Sequence, residues 1–269
     1  MAIFKSPIDE GPGVSKSEAE KRGFFRFFEL LKRYYGKLLS TGLLKMLLDL
    51  TVVASGLGAV GNARIARIAA RDRHSFKSDF SEAIKKNLKQ ALAMGIINNI
   101  LSGAALFSAY FIFNENASNE NADTVSFLML ALSIAVLLII TFMRYYTSAV
   151  LITFNVTLGQ LYKNSLLLSI GGMGRNLIIL LSHMAVLALI CSPMLLDLYV
   201  GLGIAICLYI LIMPAFSGFC IQYNIFPVMM KYMIEPFMKE HPGEGENTLR
   251  ELGLIESDTE AVMSDETTD

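Results

Sequence analysis

Ala63–Phe113 reads ARIARIAARDRHSFKSDFSEAIKKNLKQALAMGIINNILSGAALFSAYFIF. Its first half carries Arg64, Arg67, Arg71, Arg73, Lys77, Lys85, Lys86 and Lys89 in a helical pattern, and Ala91–Phe113 contains no charged residue. A cationic amphipathic segment opening into about twenty uncharged residues marks a chain that runs along a membrane surface and then enters it. The stretch therefore predicts an integral membrane protein. The fold class expected is all-α: a polytopic transmembrane bundle with five long spans, one short or re-entrant helix, and amphipathic interfacial elbows.

Composition agrees with that class. Charged residues make up 17% of the 269 positions and hydrophobic ones 54%, with a mean hydropathy of +0.50. Soluble domains average about 25% charged, so a water-facing surface is largely missing. The net charge of −1 conceals an asymmetry: basic residues crowd the first ninety or so positions and acidic ones the last thirty or so. Cys191, Cys207 and Cys220 all sit in apolar runs without Cys-x-x-Cys spacing, which reads as buried free thiols rather than a disulfide framework or a metal site. The first twenty or so residues show no apolar core with a cleavage site, so the first span is expected to direct insertion itself.

Upstream of the quoted stretch, residues 1–22 read as a mobile cytoplasmic tail. Gly23–Lys37, GFFRFFELLKRYYGK, sets Phe24, Phe27, Phe28, Leu31 and Tyr35 near one helical face, an aromatic face for lipid. It is expected to run into a first span over Leu38–Ser55, where Lys45 and Asp49 lie one helical turn apart and can pair. Gly56–Ala70 has about ten apolar residues where a full crossing needs about twenty at 1.5 Å each, and six passes result if it counts as one. A short or re-entrant helix packed on neighbours fits it.

Downstream, spans are expected over 91–113, 124–152, 166–190 and 198–220. Asn114–Asp123 forms an acidic outer loop and Thr153–Asn164 a second elbow. One transmembrane domain thus covers 23–238, and 239–269 is an acidic disordered tail. Lys and Arg collect on one side, so both termini are expected in the cytoplasm of a cell (inner) membrane protein. A faint parallel repeat sets Lys86, Asn87, Gly95 and Asn99 against Lys163, Asn164, Gly172 and Asn176.

Several of these segments resemble the YesL-like family of bacterial multi-pass membrane proteins. The carriers are GFFRFFELLKRYYGKLL with its Gly-rich turn, and the D-F-x-x-x-F-K-x-N-x-K-Q type segment matched by Asp79, Phe80, Lys86, Asn87, Lys89 and Gln90, with Ile84 in place of Phe. The second elbow, Phe154-Asn155 through Lys163-Asn164-Ser165, resembles R-F-D-x-x-x-x-x-x-x-K-N-A, with Thr153 and Asn155 where Arg and Asp are common. Met213-Pro214-Ala215-Phe216 to Met230-Lys231-Tyr232 resembles the closing P-A-F…V-F-x-K-Y. The resemblance covers roughly Gly23 to Met238. It implies an inner-membrane protein, mainly of Gram-positive bacteria, without a settled activity; some members are encoded beside carbohydrate importers of the ATP-binding-cassette type.

Individual residues admit a functional and a bland reading. Gly56-Leu57-Gly58-Ala59-Val60-Gly61 is a literal G-x-G-x-x-G, but no βαβ alternation follows, so close helix approach is the preferred account. Asn98 and Asn99 lie in an apolar span and need partners; with Asn176 and His183 they mark a polar path, or else bond between helices. No second His or carboxylate near His183 supports a metal. Arg144 at an inner helix end is expected to snorkel to lipid phosphate. Arg64, Arg67, Arg71, Lys85, Lys86 and Asn87 are expected to hold anionic headgroups or a partner's acidic loop; nucleic acid is not expected. No catalytic triad, carboxylate pair or Cys-His arrangement is proposed, and no cofactor, so an enzyme is not expected. Two functions are carried forward: a non-catalytic accessory partner, for instance of a carbohydrate importer, and a small transporter or channel with a polar path between the two pseudo-repeats.

Overall fold

Apolar runs of this length and charge pattern leave the backbone one economical way to satisfy its own polar groups, the α-helix. The computed structural model describes residues 23–73, 77–118 and 124–240, and every regular element among them is helical. The two tail readings (1–22, and 239–269 beyond residue 240), the tip of the acidic loop (119–123) and His74 lie outside the described residues.

The order is α1 (Phe24–Asp49), α2 (Ser55–Ala70), α3 (Lys77–Ser118), α4 (Thr124–Thr153), α5 (Leu158–Gly171), α6 (Met173–Cys191), a 3-10 turn (Ser192–Leu195), α7 (Leu198–Met229), a π turn (Met230–Ile234) and α8 (Glu235–Glu240). Among the described residues four helical stretches are long and apolar enough to cross a membrane: 78–118, 124–153, 173–195 and 198–240. This is compatible with a multi-pass membrane protein. α1 falls outside that set; Arg26, Glu29, Lys32, Arg33, Lys37, Lys45 and Asp49 are spread along it.

Several boundaries differ from expectation: α3 runs over Lys77–Ser118 rather than 91–113, and α7 continues to Met229 rather than ending at 220. The first helix stops at Asp49, not Ser55, because the chain turns there before the glycine-rich α2. The expected span 166–190 is two helices. α5 ends at Gly171 and α6 starts at Met173, since Gly172 packs against the Tyr146 hydroxyl and Val228, leaving no room for a side chain. α3 bends at Asn87 (φ −116°, ψ 17°), where the Asn87 Nδ2 donates to the Ala83 carbonyl at 3.0 Å.

α2 is the element the others surround. Val60, Ile65, Ala66, Ile68 and Ala69 are buried, packed between α1, α3, α4 and α7. Its glycines explain how: a Cβ on Gly56 would overlap the Ala91 carbonyl of α3, on Gly58 it would press on Lys45 of α1, and on Gly61 it would overlap the Phe80 ring. The glycine triplet is a close-approach face. The α1–α2 turn sits beside Asn99, whose Nδ2 donates to the Val52 carbonyl (3.0 Å) and the Ser55 hydroxyl (2.8 Å). From Asn99 to Ser118, α3 continues for about 28 Å at 1.5 Å per residue, well past that turn.

The exterior is apolar. Phe107, Leu128, Leu132, Leu181, Met184 and Ile206 are exposed, as are Cys191 and Cys207; of the three thiols only Cys220 is buried. The aromatic face of α1 is divided, with Phe24 and Phe28 exposed while Phe27 packs on Phe216, Phe219 and Tyr223. At one end of the bundle a clamp joins α1 to the end of α2. Arg33 donates to both Asp72 carboxylate oxygens (2.8 and 2.6 Å) and Tyr34 donates to one (2.9 Å). Asp72 holds Arg33 above its ordinary pKa and itself adopts a left-handed φ of 55°.

Candidate functional site

The polar side chains inside this bundle fall into two groups. The first is centred on Arg67, which is 2% exposed. Its Nη1 donates to the Thr153 hydroxyl (2.5 Å), its Nη2 to the Ala149 carbonyl (2.9 Å) and its Nε to Gln222 Oε1 (3.4 Å). Ala149 and Thr153 are the last turn of α4, whose carbonyls carry the negative end of the helix dipole. Arg67 thus does for the end of α4 what a basic cap does on a surface helix.

This corrects the expectation for the elbow. Arg67 is inside the protein because α2 is enclosed by four helices, so its basic face meets protein rather than headgroups. Arg64 is partly buried, with one guanidinium nitrogen sealed from solvent, and Arg71 stacks its guanidinium 3.4 Å above the Phe226 ring. Lys85 and Lys86 are exposed, and Asn87 is the bend in α3.

Asn176 and His183, two members of the expected polar path, are bonded within the packed bundle. Tyr146 donates to Asn176 Oδ1 (2.8 Å), and Asn176 Nδ2 donates to the Ser169 carbonyl (2.8 Å), bridging the α5–α6 break. His183 Nδ1 lies 2.8 Å from the Ile179 carbonyl and Nε2 lies 3.0 Å from the Ser217 hydroxyl. A carbonyl only accepts, so Nδ1 carries the proton and Nε2 accepts from Ser217.

The second group surrounds a cavity of about 530 Å³ built by α1, α2, α3, α4 and α7. It lies around the middle of α3 and α7, and its wall includes Asn62, Asn98, Asn99, Ser148, Ser217 and Gln222. Three charged residues line it: Lys45, Asp49 and Arg144. Lys45 and Asp49 form the intrahelical ion pair that their spacing suggests. Arg144 is exposed, and its Nη1 donates to the Ser102 hydroxyl of α3 at 2.8 Å. Asn98 is 7% exposed and fully engaged, donating to the Thr147 hydroxyl (3.2 Å) and accepting from Tyr162 (3.0 Å).

Of the four residues suggested for a polar path, Asn98 and Asn99 thus reach the cavity, while Asn176 and His183 stand behind its wall. His183 touches the lining only through Ser217. The walls are the α1–α2 hairpin, α3, α4 and α7 rather than the paired helices α3 and α6 of the two pseudo-repeats. Asn62, Gln222, Ser102 and Ser148 were not singled out from sequence. An isolated Asn62 or Gln222 in an apolar run was the available signal, the same one that marks Asn98. No family model, curated protein or solved structure matches the chain.

Proposed function

We propose that this chain is a multi-pass inner-membrane protein that binds a small polar solute near the middle of the bilayer, as the binding step of a transporter. The observation that carries the reading is the partly open cavity of about 530 Å³ between five helices of a bundle with an apolar exterior, with Asn, Gln and Arg side chains on its wall. Apolar exteriors need only lipid, but Asn, Gln and Arg side chains facing a cavity inside hydrocarbon are expensive and mark solute or ion pathways. Transporter sites recur near the midplane, where interrupted or half-length helices line a cavity.

The α1–α2 hairpin supplies such an element. In this reading α1 and the sixteen-residue α2 dip to the level of Asn99 and return, and both termini lie in the cytoplasm. The basic ends of α2 and α3 share that side with Arg33 and the C-terminus of α4. The alternative expectation, an accessory partner of a carbohydrate importer, and the kinship with the YesL-like family rest on the short motifs and the association they imply. The cavity is a feature of this molecule, and it supports the solute-binding reading.

The test is a thermal-stability screen of the detergent-solubilised full chain against sugars, polyols, amino acids and small carboxylates, followed by flux of any hit in proteoliposomes. At least one solute should raise Tm, and the gain should vanish in Asn99→Leu. Stabilisation by none of them, or a gain untouched by Asn99→Leu, refutes the reading.

A further inference from the structure

The cavity lining has a sign. Lys45 and Asp49 form an ion pair, so with Arg144 the charges on the wall sum to one positive; Asp49 also attracts Arg144 without bonding to it. Among the described residues no carboxylate stands within ion-pairing distance of Arg144, whose one side-chain partner is Ser102. A guanidinium offers five N–H donors and accepts nothing. Four or so of those donors have no protein acceptor at Arg144.

The neutral wall points the same way. Arg67 donates to Gln222 Oε1, so the amide oxygen is fixed toward Arg67 and the Nε2 donors face the other way. Gln222 is 3% exposed, lines the cavity, and its Nε2 has no protein acceptor among the described residues. Asn62, 5% exposed, accepts from Thr41 (3.4 Å) and has no protein acceptor for its Nδ2. A ligand rich in acceptors can bond these free amide donors. Behind Gln222 stands a second cation, Arg67.

We infer that the solute is an anion, a small organic acid whose carboxylate docks on Arg144 while its remaining acceptors face Gln222 and Asn62. The inference rests on the solute-binding reading and narrows it to a chemical class. Arg144 binds a carboxylate through two parallel N–H donors, an arrangement a single ammonium does not offer. The ion pair of Lys45 and Asp49 borders the same space and adds no net charge, so the wall offers the ligand one net positive charge. A singly charged acid fits best.

A charge-matched pair of thiol reagents tests the sign without knowing the solute. Ser148, one helical turn beyond Arg144 on the lining, is changed to Cys in the full chain carrying Cys191→Ser and Cys207→Ser, reconstituted in phosphatidylcholine nanodiscs. Rates are measured with the sulfonatoethyl (anionic) and trimethylammonioethyl (cationic) methanethiosulfonates, each divided by its rate on free 2-mercaptoethanol. The anionic reagent should be favoured by about tenfold, the effect of one charge about 6 Å away on probes of opposite sign. Arg144→Gln should bring the ratio to within about twofold of unity, Arg144→Lys should restore most of it, and raising ionic strength from about 0.02 to about 0.5 M should shrink it in the chain that keeps Arg144.

A ratio near or below unity with Arg144 present, or one that neither Arg144→Gln nor salt changes, overturns the anion assignment and leaves a neutral-solute cavity standing. If neither reagent reaches the thiol, while both label it after unfolding in dodecyl sulfate, the cavity reading fails as well.

Discussion

Arg67 and Arg144 are both arginines on the helices of one bundle, yet Arg67 is 2% exposed and enclosed while Arg144 is exposed beside an open cavity. Arg67 is enclosed by the Thr153 hydroxyl, the Ala149 carbonyl and Gln222, and it closes the end of α4. Arg144 has Ser102 and open space. A buried charge with its donors taken is a structural part, because removing it strands the acceptors around it. A charge left facing a cavity with donors to spare contributes little to stability, and its donors are free for a ligand. The same residue type, in one molecule, separates what holds the bundle from what the bundle holds.

The largest effect that separates them is on stability. Arg67→Ala takes three donated hydrogen bonds from Thr153, Ala149 and Gln222 and opens a void. It leaves the Gln222 oxygen without a protein donor, while the Ala149 carbonyl keeps the Thr153 hydroxyl. We expect a loss of about 3–5 kcal/mol, or roughly 10 °C in Tm for a chain of this size. Buried Cys220 reports unfolding through a maleimide dye in the Cys191→Ser, Cys207→Ser background. An Arg67→Ala melt within about 2 °C of the parent would erase the distinction.

Next comes the contact that lets α2 bring Arg67 to α4. Gly56 packs on the backbone of Ala91 and Gly95, and an added methyl there must push two helix backbones apart. Gly56→Ala should cost about 2–3 kcal/mol. Gly103→Ala, in open space further along α3, should be neutral or stabilise by up to about 1 kcal/mol. Equal melts for the two variants would mean the α2–α3 crossing is not close-packed. A smaller loss is expected for Tyr146→Phe, which strips the donor from buried Asn176 Oδ1. Roughly 1–2 kcal/mol should appear in the same melt, and none if Asn176 belongs to a hydrated path instead.

Much of the bundle is legible in the sequence because hydrophobic length is a property of contiguous residues. The bounds of α4 and the buried character of Gly56–Ala70 come from local composition, as does the Lys45–Asp49 pairing. What is not legible depends on residues far apart in the chain. Within Leu166–Ile190, Gly171–Arg175 reads in sequence as a flexible entry to a helix, but hydropathy runs through it, and the break there depends on Gly172 packing against Tyr146 and Val228. Arg64, Arg67 and Arg71 precede a span, which favours a headgroup reading. Only the enclosure of α2 by helices up to residue 229 turns them inward. The cavity is assembled from Gly42 to Gln222, so no window of sequence contains it, and Asn98 and Asn99 are the fragment of it that a local reading finds.

The smallest expected change in stability belongs to Arg144, and there the contrast with Arg67 is sharpest. Arg144→Ala removes one hydrogen bond to a serine hydroxyl and relieves the desolvation of a cation. The two terms oppose one another, so the net change should stay under about 1 kcal/mol. In the dye melt that is a shift of no more than about 2–4 °C, against roughly 10 °C for Arg67→Ala. Binding should respond in the opposite order, since a stabilising solute found by screening would lose its effect in Arg144→Ala while the protein itself melts nearly where it did. If Arg144→Ala instead melts as low as Arg67→Ala, then Arg144 is a second structural clamp between α3 and α4, and the donors it turns to the cavity are incidental.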